Sequence, residues 1–143
     1  MSRHHIVRRP PRAHVDPVAD AADALALFSL AMHHPMQPEI IAFLLDDTGR
    51  GGTIVVVTDV DSLDAVLGVV ETMSMAAEAN RDLCRLVVAS VRPTGATRPG
   101  DIDRWLEASA IAELHGVELV EWFVIGPAGP ECPRDLIGEP ERW

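Results

Sequence analysis

The chain has 143 residues, 48% of them hydrophobic and 24% charged, with a formal net charge of −10. That length suits one domain with a sizeable core, and no apolar run reaches the ~18 residues of a membrane span. All 12 basic residues are Arg; four of them (Arg3, Arg8, Arg9 and Arg12) lie in residues 1–15, which hold no acid, so the strongly acidic remainder argues against a nucleic-acid groove on the body.

Residues 1–15 contain Pro10-Pro11 and no apolar period, and read as a basic, flexible arm. Residues 16–143 read as a single domain with a Pro-rich C-terminal tail. Nothing fixes the geometry of His4, His5 and His14 for a metal. The N-terminus lacks an apolar h-region, so no secretory leader is expected. Two cysteines make no disulfide framework. Both features suggest a cytoplasmic protein.

Asp16-Pro17 is expected to open a helix, with Pro in its first turn. Val18, Ala21, Ala22, Leu25, Phe28 and Met32 form its apolar stripe. His33-His34-Pro35 ends it, because the residue before Pro is pushed out of the α region. The two histidines suit a helix C-terminus as cations; as neighbours on a helix they point apart and do not chelate.

Glu39–Leu45 and Thr53–Thr58 read as strands of an antiparallel hairpin, joined by the polar turn 46–52. The acid-rich segment Asp59 to Asp64 lacks the central Gly and terminal Glu of an EF-hand loop. It reads as a helix start, with Asp61 or Ser62 as the cap. Leu63, Val66, Leu67, Val70, Met73 and Ala77 follow on one face.

Leu83–Ala89 has the length and composition of a buried strand. After Ser90, a loop carries Pro93, Gly95, Pro99 and Gly100, and a helix follows with Ile102, Trp105, Leu106, Ser109 and Ala112 at helical spacing. Asp101 and Asp103 occupy its first turn. Gly116 is placed to end this helix, and Val117–Ile125 is the next strand. Four prolines make the tail mostly loop, with Asp135-Leu136-Ile137 as a short last strand and Trp143 packed on the body or on a partner.

The stretch from Ser90 to Asp103 resembles the signature of the RadC-like branch of the JAB/MPN (JAMM) metalloenzyme family, His-x-His-Pro-Ser-Gly followed by a Pro-containing loop and Ser-x-x-Asp. Pro93, Gly95 and Pro99 match, Thr94 replaces Ser, and Asp103 stands at the metal-binding Asp, all without a gap. Ser90 and Arg92 stand at the two His positions and Gly100 at the second Ser. Leu45-Asp46 and Arg50 fit the family's hairpin, but its catalytic Glu falls where this chain has Val55, Val56 and Val57; Asp59 is the nearest acid. In the later strand Glu121 fits the family's acid and Trp122 replaces its His. The resemblance covers roughly residues 18–126.

In the family two His and the Asp hold zinc and water fills the fourth position, the general pattern of catalytic zinc. Arg has no lone pair to give a metal. The resemblance therefore implies an α/β fold, a mixed sheet flanked by helices in the order α-β-β-α-β-α-β, as in cytidine-deaminase-like layered folds. The Leu83–Ala89 strand is expected to run parallel to one hairpin strand.

The resemblance also implies a pseudoenzyme with no metal and no cofactor, acting as a scaffold or protein-interaction module. The alternative is a hydrolase with a rebuilt carboxylate site at Asp59 and Asp103, favouring a harder ion such as Mg²⁺ or Mn²⁺. Arg92 is expected to fill the place of the lost ion and pair with Asp103, the alternative being that Asp103 only serves the helix start. A homodimer or a hetero-complex is expected from Trp105, Trp122, Trp143 and the Met-rich helix. Nucleic acid is expected only through the basic arm.

Overall fold

The computed structural model describes residues 9–143. Its elements are α1 (Ala21–Ala31), β1 (Glu39–Asp46), β2 (Ile54–Val57), α2 (Ala65–Glu78), β3 (Leu83–Val91), α3 (Asp101–Leu114), β4 (Glu118–Gly126), β5 (Gly129–Glu131) and a 3-10 turn at Pro133–Ile137. The expected α-β-β-α-β-α-β order is present, with β5 added. The strands form one mixed sheet in the order β2-β1-β3-β4-β5. β1 is antiparallel to both β2 and β3, β3 is parallel to β4, and β5 turns back antiparallel on β4. β3 thus runs in the same direction as β2, as expected, but its neighbour is β1.

Both faces of the central strands are buried, which is why they read as continuous apolar runs. Successive side chains alternate between the faces. Ile40, Ala42, Leu86, Val88 and Trp122 pack with residues of α2 and α3; Ile41, Phe43, Val87, Ala89 and Phe123 pack with Phe28 of α1 on the other face. Phe28 meets Phe43 at a tilt and Phe123 edge to face, at centroid distances of 5.1 and 5.9 Å. The result is three layers, helix, sheet and helices, around two apolar clusters.

Several boundaries differ from expectation. α1 starts at Ala21, not at Pro17: Asp20 is its N-cap, and its carboxylate accepts the Asp23 N–H at 2.9 Å. Asp16 instead accepts from Arg12 at 2.9 Å, and the Val18 N–H donates to the Gly49 carbonyl. The His14 N–H donates to the Gly51 carbonyl, so residues 12–18 lie along the β1–β2 turn and the last part of the basic arm is docked. Arg3, His4, His5 and Arg8 fall outside the described residues.

α2 opens at Ala65 without a side-chain cap; Ser62 accepts the Asp64 N–H in the turn before it. The tail segment expected as a strand is the 3-10 turn, opened by Pro133 and closed by Gly138 at φ +68°. The short strand lies earlier, at Gly129–Glu131.

Trp105 and Trp122 are fully buried, so they belong to the core and supply no interface. Trp143 is half-buried against the α1-side cluster. Among the described residues no helix is long and apolar enough to cross a membrane.

Candidate functional site

The site lies where β3 runs out of the sheet. Arg92 keeps to the sheet direction through its N–H, which donates to the Ile125 carbonyl at 2.8 Å. The loop that follows is held from both ends. The Gly95 carbonyl lies against Gly126, where any Cβ would collide with it, so a glycine is required there. The Thr97 N–H donates to Glu131 at 3.0 Å, and the Arg98 N–H donates to Asp101 at 2.6 Å.

The centre of the site is the Asp101 carboxylate, fully buried at the first position of α3. Arg92 grips it with two parallel bonds, Nη1 to Oδ2 at 2.7 Å and Nη2 to Oδ1 at 2.9 Å. Arg104 Nη1 donates to Oδ1 at 3.0 Å, and its Nε reaches Asp64 at 2.8 Å. A Cβ at Gly100 would lie 3.0 Å from Arg104 Nη1, so the glycine leaves room for this guanidinium. Burial by itself would raise the Asp101 pKa. The bonds from Arg92 and the Arg98 N–H outweigh it, and the carboxyl ends below its ordinary value.

The remaining matched positions join the same cluster. Trp122 Nε1 donates to Ser90 Oγ at 3.0 Å, and the Arg92 guanidinium carbon stands 5.8 Å from the Trp122 ring. Ser90, Arg92 and Trp122, which occupy the three His positions of the resemblance, are thus brought together. Trp122 links Ser90 to Arg92, and Arg92 alone of the three binds Asp101. The expected Arg92–Asp103 pair does not form; Asp101 is the partner. The reason is helical geometry: Asp103 lies two residues further on, about 200° around the axis. It is exposed and lines a shallow depression with Asp64, Arg104 and Glu107.

A cleft of about 200 Å³ opens beside this cluster, between the start of β1, the segment before α2 and the Pro93–Gly95 loop. Ser90, Arg92, Pro93, Thr94 and Gly95 line it. Pro99 is exposed and lines no part of it. Asp59, an exposed residue at φ +56°, also lines no part of it. Val55, Val56 and Val57 lie on the edge strand β2, and only Val55 packs toward the α2-side cluster. Among the described residues no group of three or more His, Cys, Asp or Glu side chains converges to hold a metal.

Two further acids are fully buried, and their partners are not readable from the sequence. Glu39, a lining residue of the cleft and fully buried, accepts the His33 N–H at 2.8 Å and meets His33 Nδ1 at 2.7 Å. An acid opening a wholly apolar strand was the available signal. Glu121 pairs with Arg134 Nε at 2.8 Å, both buried. Burial raises the Glu121 carboxyl above its ordinary value despite Arg134, and the neighbouring Cys132 thiol is pushed up to about 12 by burial and by Glu121. In the tail, Glu139 accepts from Trp105 Nε1 at 2.9 Å, and Arg142 stacks on Trp105 at 4.4 Å. No family model matches this chain, and no curated protein matches it in sequence.

Proposed function

We propose that the chain is a catalytically silent JAB/MPN-like domain, working in the cytoplasm as a protein-interaction or scaffold module. The element order agrees with that fold, and the Ser90–Asp103 loop joins a buried strand to a helix as the resemblance requires. One observation carries the reading. The side chains at the lost His positions are bonded internally, Ser90 to Trp122 and Arg92 to the buried Asp101, which leaves a guanidinium among them. Such a group offers no lone pair and repels a metal ion. With Val at the position of the base, neither means of activating water at this site is in place. Both cysteines are free thiols, which suits a reducing compartment.

Metal measurement tests the reading. Protein purified without metal and then offered Zn²⁺ or Mn²⁺ is expected to retain neither; one equivalent by elemental analysis would overturn the silent site. A Ser90→His/Arg92→His variant is expected to gain measurable zinc affinity without hydrolase activity. Adding Asp101→Asn to it should remove that affinity, and adding Asp103→Asn should not.

A further inference from the structure

Four charged side chains line the cleft beside the Arg92–Asp101 pair: Glu39, Asp61, Arg92 and Arg98. Two of them are already matched. His33 takes both Glu39 oxygens, one with its N–H and one with Nδ1, and Asp101 holds Arg92. The other two are not matched. Among the described residues neither the Asp61 carboxylate nor the Arg98 guanidinium has a hydrogen bond or an ion pair, with each other or with any other group. They stand on different walls, and the backbone behind each is fixed. The Val60 N–H donates to the Pro38 carbonyl at 3.2 Å beside Asp61, and the Arg98 N–H donates to Asp101 at 2.6 Å.

The space between these charges suits a small molecule. It opens beyond the carboxyl end of β3, where ligands of α/β sheets bind. Its volume of about 200 Å³ equals about seven waters at ~30 Å³ each. Ser90, 6% exposed, accepts from Trp122 Nε1 and so keeps its hydroxyl proton to donate. Val60, Leu63 and Pro93 supply apolar lining, and Leu63 is left 37% exposed.

We propose that this cleft binds a free aliphatic α-amino acid, with its carboxylate on Arg98, its ammonium on Asp61 and its side chain on Val60 and Leu63. A guanidinium grips a carboxylate with two parallel bonds, and a carboxylate accepts from an ammonium. One zwitterion satisfies both walls at once; a simple anion or cation leaves one charge unmatched. The inference rests on the silent-site reading only in that the ligand is bound and not transformed. Metal retention and ligand binding are measured apart, so either fails alone.

Titration of the metal-free full chain with L-leucine at pH 7, followed by NMR or calorimetry, is expected to show one site with a Kd of about 1 mM. N-acetylleucine lacks the ammonium and leucinamide lacks the carboxylate; each is expected to bind at least about tenfold more weakly. Asp61 and Arg98 are exposed, so Asp61→Asn and Arg98→Gln are expected to leave the fold intact. Asp61→Asn should bind leucine and N-acetylleucine alike, and Arg98→Gln should bind leucine and leucinamide alike. A merely structural role would not produce that loss of discrimination. Arg81→Gln, at an exposed position outside the cleft, should bind leucine as the parent does. No binding at ~10 mM leucine, either derivative bound as tightly as leucine, discrimination unchanged in either cleft variant, or binding lost with Arg81→Gln would each overturn the proposal.

Discussion

Replacing Arg92 by Ala removes the main counter-charge of a buried acid. The side chain of Arg92 is 10% exposed and that of Asp101 is fully buried. Breaking such a pair costs about 3–5 kcal/mol, because the survivor is left uncompensated; an exposed pair would cost about 0–1. Asp101 keeps Arg104 at 3.0 Å and the Arg98 N–H at 2.6 Å, which places the loss at the lower end, about 3 kcal/mol. Arg92 also loses its bond to the Ala96 carbonyl. For a chain of this size that is a fall in Tm of roughly 10 °C.

Urea unfolding at pH 7 measures it, with an unchanged m-value showing that the variant unfolds from the same compact state. Asp103→Ala, at an exposed position, is expected to stay within about 0.5 kcal/mol of the parent. The sign of the pH dependence is a second check. The folded Asp101 pKa is depressed, so its contribution is complete above the ordinary value of 3.8 and is lost as pH falls through the lower folded value. The gap between parent and Arg92→Ala should therefore close in strong acid. An Arg92→Ala protein that unfolds with the parent at pH 7, or an Asp103→Ala protein that loses as much as an Asp101→Ala one, would refute the reasoning.

Glu139→Ala leaves the buried Trp105 indole N–H without its acceptor and is expected to cost about 1–3 kcal/mol in chemical unfolding, with Glu139→Gln recovering most of it. The half-buried Cys132 thiol, pushed up to about 12, should resist a thiol-exchange reagent at mildly alkaline pH until the protein is unfolded; stoichiometric labelling of native Cys132 would contradict the raised thiol. Glu121 has the opposite linkage to Asp101. Its folded pKa is raised, so its protonation favours the folded state as pH falls from that raised value toward 4.5, and Glu121→Gln should flatten the stability profile across that window.

Local pattern carried much of this protein. The central strands were legible as apolar runs because both of their faces are covered, and the hairpin because its link is short and polar. Strand β5 was not: three residues beginning Gly-Pro have no period, and only their pairing to Val124–Gly126 makes them a strand. Asp16-Pro17 reads as the start of α1, but Val18 binds the β1–β2 turn and the helix begins only after its cap at Asp20.

At the site, residue types sufficed to say that Arg92 needs a carboxylate. They did not say which one. Asp101 and Asp103 differ by two residues, a separation without meaning in the sequence and half a turn in space once α3 begins at Asp101. The same holds for Glu39 with His33 and Glu121 with Arg134, whose partners come from different elements. Periodicity and composition act over a few residues and so determine the elements; the choice of partner for a buried charge is settled only when the packed elements leave it one group within hydrogen-bonding reach.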